Sequence, residues 1–184
     1  MDPDVCLGTL AFWPVDLALL AGPVAAVFAR RPDLSARAGT ASIDPALADT
    51  AALAAEYALT PEMSANCVVV RGRRGGDERV AACVVLSHTR ADVNHLVKRT
   101  LDVRKLSFAP QDWTVQMSGM EHGAITPIGL PDEWQVLVDR AVTEQPWVVV
   151  GSGLRRSKLA LPGAVLADLP GVRVLDELGV AAEV

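Results

Sequence analysis

The sequence predicts an α/β protein of the α+β type, a single domain with a mixed, largely antiparallel sheet surrounded by helices. Residues 66–71 (NCVVVR) and 79–87 (RVAACVVLS) are β-rich runs joined through Gly72, Arg73, Arg74, Gly75, Gly76 and Asp77, a hairpin signal. Helical and β patterns alternate irregularly, and hairpins mixed with helical connections favour antiparallel pairing over a doubly wound parallel sheet. Hydrophobic residues make up 51% of the 184-residue chain but aromatics only 4%, so the core should be built of small and β-branched side chains.

In chain order, residues 1–13 read as an irregular lead-in. Leu17, Leu20, Val24 and Val27 place helix in residues 15–31, interrupted near Pro23. Residues 36–43 read as a strand, and Asp44-Pro45 opens a helix over 46–57. After the hairpin, Val93, Leu96, Val97 and Leu101 mark a helix over 91–101, followed by a strand at 103–108 and a helical turn from Pro110. Residues 124–128 read as a strand bent by Pro127. The spacing of Trp134, Leu137, Val138 and Ala141 gives a helix over 132–142. Strands at 147–150 and 158–161, a helix at 162–169 and a strand at 172–175 complete the order.

Composition narrows the function classes. Cys6, Cys67 and Cys83 are an odd number with no secretory pattern, so core thiols in a reducing cytoplasm are expected rather than a disulfide framework. Residues 14–29 carry Asp16 and Gly22-Pro23 and are too short to span a membrane. A net charge of −5 argues against a general nucleic-acid binder. The bases nevertheless cluster at Arg71, Arg73 and Arg74, at Lys98 and Arg99, at Arg104 and Lys105, and at Arg155, Arg156 and Lys158. Each cluster suits a solvated surface, and together they suit a few phosphates. Residues 151–158 (GSGLRRSK) lack the Gly-Lys-Ser/Thr of a phosphate loop, no Cys/His spacing supports zinc, and Ser152 lacks a Gly-x-Ser-x-Gly frame.

The sharpest functional signal is the stretch 118–131 (SGMEHGAITPIGLP), where Gly119, Gly123 and Gly129 interleave with Pro127 and Pro131. Such a turn can leave amide N–H groups free for a carbonyl or an oxyanion, although a hairpin without chemistry has the same composition. The order Ser118, Gly119, Gly123, Ile125, Thr126, Pro127, Gly129 resembles the signature of the YbaK/EbsC family. These are aminoacyl-tRNA deacylases related to the editing domain associated with prolyl-tRNA synthetase. The resemblance covers roughly residues 44–175, through 65–70 (ANCVVV), the 90–99 segment with Asp92, 105–109 (KLSFA) and the 150–161 segment with Gly153.

The resemblance implies residues 44–184 as the deacylase domain, with residues 1–43 a helical lead-in packed on it. It implies hydrolysis of a mischarged aminoacyl-tRNA bearing a small amino acid, with no cofactor and no metal. Partners would be the acceptor end of the tRNA and an aminoacyl-tRNA synthetase, without a membrane. Catalysis would fall to Gly119, His122, Gly123 and Asn66. Ser118, Met120, Ala124, Thr126, Pro127, His88, Gly151, Ser152 and Gly153 would contact substrate, and Arg71, Arg73, Arg74, Arg155, Arg156 and Lys158 the tRNA.

Two positions depart from the pattern. Asn66 stands where the family carries a lysine whose ammonium helps to hold substrate. Either Lys158 or Arg155 substitutes, or the specificity differs, or the protein is a module that binds an aminoacyl-adenosine-type ligand, tRNA or a synthetase without cleaving. His122 replaces a proline or aliphatic residue and suits either general acid–base work or a plain turn. An unrelated hydrolase reusing the fold is a third alternative.

Overall fold

The structure, a computed structural model, describes residues 4–181. β1 (Val5–Leu7) and β2 (Leu10–Pro14) form a hairpin, so the lead-in is β structure rather than irregular chain. A 3₁₀ turn (Leu17–Leu19) is capped by Asp16, which accepts from the Ala18 N–H at 2.9 Å. α1 (Gly22–Arg30) follows with Pro23 in its first turn, where the missing N–H costs nothing, and the short α2 (Pro32–Ser35) leads to β3 (Gly39–Ser42). A second 3₁₀ turn (Pro45–Leu47) precedes α3 (Thr50–Tyr57), so the helix expected over 46–57 is two pieces, split because Asp49 caps α3.

β4 (Ala65–Arg74) and β5 (Asp77–Leu86) pair over their whole lengths and turn through Gly75 and Gly76, both at positive φ. β6 (Thr89–Ala91), a π-helical turn (Val93–Val97) and α4 (Lys98–Thr100) replace the continuous helix expected at 91–101. Asp92 receives the N–H groups of His95 and Leu96 and so starts that turn. β7 (Lys105–Phe108) and α5 (Gln111–Ser118) come next. Beyond a long loop lie β8 (Gln135–Asp139), α6 (Arg140–Thr143), β9 (Val148–Gly151), β10 (Ser157–Leu161), α7 (Gly163–Ala167), β11 (Val172–Leu175) and β12 (Gly179–Ala181).

The strands divide between two five-stranded sheets, β1-β2-β3-β10-β9 and β11-β8-β5-β4-β7, with β12 and β6 paired separately. Strand pairing is antiparallel except where β8 lies parallel to β5 and to β11. The fold is thus α+β with mixed, largely antiparallel sheets and helices packed outside. The sheets touch through the parallel bridge Ser64–Val149. Their largest shared core gathers Val24 and Phe28 of α1, Val84, Val136 and Val138 of the second sheet, and Val150 and Leu159 of the first. Among the described residues no helix is long and apolar enough to cross a membrane.

Two segments correct the reading of the sequence. Residues 135–139 are strand, not helix: Val136 and Val138 enter the core beneath α1 while Leu137 enters the core beneath 93–101. A strand buried on both faces shows no alternation, so its apolar run mimics helical spacing. Residues 124–128 form no strand; they are loop, tied to the turn after β9 by the Gly153 N–H on Ala124 O. Leu137 is fully buried between two parallel neighbours. Truncation to alanine is expected to lower stability by about 2–5 kcal/mol, read as a shift of the urea midpoint at unchanged slope.

Candidate active site

The two sheets and the loops around their junction enclose a cavity of about 440 Å³, within the range of small-ligand sites. Its walls come from β4 at Ala65 to Val69, the ends of β7 and β9, the start of α3, α5 and the loop 122–125. Of the residues singled out from sequence, the fold brings Asn66, His122, Gly123, Gly151, Arg155 and Lys158 together here.

The loop after α5 is shaped by its own hydrogen bonds. Gly119, at φ +66°, ends α5 by donating to Val115 O, and the Met120 N–H donates to Ser118 Oγ at 3.2 Å. The Glu121 N–H donates to Gly153 O and the Gly153 N–H to Ala124 O, each at 2.8 Å, while the Ala124 N–H returns to Glu121 O. Among the described residues, the N–H groups of His122 and Gly123 have no acceptor. Both residues line the cavity and both are exposed.

Gly123 sits at φ +77°, and a Cβ there would lie 2.8 Å from Arg155 Nη1. Only glycine meets both demands. Arg155 spans the cavity edge: its N–H donates to Glu121 Oε2 at 2.6 Å, Nη1 to His122 O at 3.2 Å and Nη2 to Pro45 O at 2.9 Å. Its guanidinium therefore meets carbonyls rather than a carboxylate, and keeps its charge uncompensated beside the two free amides.

Lys158 is the second cation of the cavity. It lies on β10, only 6% exposed, and donates from Nζ to Ala48 O at 2.7 Å. Burial pushes its ammonium down to about 8, opposed by nearby Asp49 and assisted by the positive charge of Arg155. Asn66 accepts at Oδ1 from Thr50 Oγ1 at 2.7 Å, and its amide nitrogen has no partner among the described residues. Cys67 also lines the cavity, but burial pushes its thiol up, so it is no thiolate nucleophile at neutral pH. Among the described residues, no cluster of His, Cys, Asp or Glu could hold a metal ion.

The other candidates stand apart from the cavity lining. Ser118, Met120, Ala124 and Thr126 are buried beside the loop, and Thr126 Oγ1 finds no partner. Gly119 faces Pro23 of α1, and Pro127 lines a different hollow, between α1 and the 127–132 loop. Ser152 is buried, with Oγ 3.0 Å from the carbonyl oxygens of both Leu154 and Ser157, and Gly153 is taken up in the loop bonds described above. His88 lies in the exposed turn after β5. Arg71 pairs with Glu78 at 3.3 Å and covers the Trp113 ring, Arg73 lies 4.0 Å from the same carboxylate, and Arg74 pairs with Asp102 at 3.1 Å. Arg156 donates to Ala18 O at 2.6 Å.

Sequence reasoning missed Thr50 and Phe108. Thr50 opens α3 behind the Asp49 cap, a start signal hidden by the preceding Asp44-Pro45, and Phe108 ends β7 with 64% of its surface exposed.

Residues 44–169 match the family described as the aminoacyl-tRNA editing domain. A solved structure described as a candidate trans-editing enzyme for prolyl tRNA synthetase is similar at a TM-score of 0.71 and 17% identity, over 85% of this chain and 94% of that one. The hypothetical protein APE2540 is similar at 0.63 and 21%, over 72% and 85%. A scaffold protein from a computational epitope-grafting study is similar at 0.71 and 18%, over 88% and 97%. At these identities the likeness is one of fold. No curated protein sequence matches the chain.

The buried ammonium makes stability depend on pH with a definite sign. Lys158 holds its proton in the unfolded chain up to 10.5 but loses it in the folded protein near 8, so unfolding takes up a proton between those values and stability rises with pH there. The gain corresponds to at most roughly 3 kcal/mol. Cys67 and Cys83, the latter pushed up to about 12, act in the opposite direction above their usual value of 9.0. The measurement is therefore the difference between wild type and Lys158→Met in urea unfolding at pH 7.5 and 10. Wild type should gain on the variant as pH rises; a pH-independent difference would contradict the burial of a charged Lys158.

Proposed function

Because the chain belongs to the aminoacyl-tRNA editing domain family, we propose that it removes a small amino acid from a mischarged tRNA by hydrolysing the aminoacyl ester. One observation carries this reading: His122 and Gly123, whose N–H groups have no acceptor among the described residues, line the same cavity as the cations Arg155 and Lys158. That is the equipment an ester carbonyl needs as it becomes an oxyanion.

In this reading the ester carbonyl oxygen faces the Gly123 and His122 amides. Water attacks the carbonyl carbon and passes a proton to His122 or to a second water, negative charge grows on the oxygen, and Lys158 and Arg155 stabilise it in a site walled by Ala65, Val69 and Ile125. Collapse breaks the bond to the ribose oxygen, which leaves with a proton supplied by His122 or by water. Products are the free amino acid and the tRNA. The free amide nitrogen of Asn66 would donate to a substrate oxygen, a task that needs no charge. Lys158 would then supply the cation that the family lysine supplies elsewhere. Cavity size sets the accepted side chain, and a difference of one methylene discriminates by about 10- to 200-fold.

The neutral residue at position 66 favours a second reading, a module that binds aminoacyl-tRNA or a synthetase without cleaving. Release of amino acid from non-cognate tRNAs charged with alanine or cysteine separates the two. Release by wild type, reduced about 10²-fold or more in Lys158→Gln and in Gly123→Ala, supports hydrolysis. No release above buffer with any mischarged tRNA rejects it. Gly123→Ala should also unfold about 1 kcal/mol more easily, from the positive φ alone.

A further inference from the structure

The cavity is not the only concavity along β4. Two residues beyond Val69, about 7 Å at ~3.3 Å per residue, β4 and its edge neighbour β7 line a basic groove. Arg71, Arg73, Lys98, Arg104 and Lys105 contribute its charge, against one carboxylate, Glu78. Glu78 is engaged by Arg71 and more distantly by Arg73. The side chains of Lys98, Arg104 and Lys105 have no ion-pair or hydrogen-bonding partner among the described residues, in contrast to Arg74 and Arg79 of the β4–β5 hairpin. Unpaired cations converging on a groove in a protein of net charge −5 are a local feature, not the overspill of a basic surface.

β7 connects groove to cavity residue by residue. Lys105, Leu106 and Ser107 line the groove, and Phe108, the next residue, lines the cavity with its ring mostly in solvent. An exposed aromatic ring following basic side chains along one edge is the arrangement that binds single-stranded nucleic acid, bases stacking on the ring and phosphates meeting the cations. We infer that the β7 edge is the track for the single-stranded 3′ end of an RNA, with Phe108 under a base next to the cavity and Lys98, Arg104 and Lys105 on the phosphates a few nucleotides upstream. The inference rests on the editing reading for which RNA is meant, and it places the tRNA contacts on these residues rather than on the arginines held in ion pairs.

Binding of uncharged tRNA, and of a short single-stranded RNA with the same 3′ sequence, measured by fluorescence anisotropy over a range of salt, tests this without any turnover. The triple variant Lys98→Gln/Arg104→Gln/Lys105→Gln should weaken binding about tenfold or more at low salt and reduce the salt slope by about 2, at ~0.7 per phosphate lost. Phe108→Ala should weaken binding about fivefold or more, while Phe108→Trp keeps it. Arg30→Gln, which removes an exposed charge outside the groove, should leave it unchanged. Circular dichroism and urea midpoints near wild type establish that the variants fold. Wild-type affinity and salt slope in the triple variant and in Phe108→Ala, or no RNA binding by wild type, would overturn the inference. RNA binding that depends on these residues, in a protein that releases no amino acid, would instead reject hydrolysis and leave the track standing.

Discussion

The cavity exists in its present form because residues 121–124 are laced to residues 153–155. Glu121 and Ala124 exchange backbone hydrogen bonds with Gly153, and the Glu121 carboxylate receives the Arg155 N–H. Gly151 adds a steric condition, since a Cβ there would collide with the carbonyls of Ala124 and Ile125. The loop therefore lies flat on the end of β9, which spends the amides on either side of His122 and Gly123 and leaves those two unused. A loop held by its neighbours' hydrogen bonds keeps its remaining donors fixed without reorganisation, the condition under which donors act best on a developing charge.

Lys158 shows the opposing demands on such a site. Its position on a strand buried along its whole length removes water from the ammonium, and one carbonyl plus the field of Asp49 are modest compensation. The fold tolerates this cost because the surrounding cores are large and continuous, from α1 through both sheets. Under the proposed reading, stability is thus spent where charge is useful, as active sites commonly do.

Much of this was legible in the residues, and the failures have physical causes. The β4–β5 hairpin announced itself through β-branched runs and paired glycines, and the loop 118–131 through its glycine order. Asn66, His122 and Gly123 could be named because they lie in or beside those segments, and Arg155 and Lys158 because they belong to a basic cluster. The strand at Leu137 was hidden because hydrophobic core lies on both of its faces, beneath α1 and beneath 93–101, which erases the period-2 signature. The β1–β2 hairpin was hidden by shortness and by residues poor in pattern. Ser118, Thr126 and Ser152 looked like site residues because polar side chains beside glycines suit a ligand, whereas here Ser118 and Ser152 bond to main chain within their own turns. No local pattern marks Phe108 as exposed, because exposure at a sheet edge is decided by which strand lies outermost.

That outermost position has a bearing on how the protein behaves in a crowd. β7 ends its sheet, and an unpaired strand border offers its peptide groups to any passing extended chain, including a twin molecule. Arg104 and Lys105 put like charges on that border, so two copies approaching edge to edge repel each other before their peptides can join. The same side chains thereby guard against self-association, and the border stays open only to a partner carrying the opposite sign.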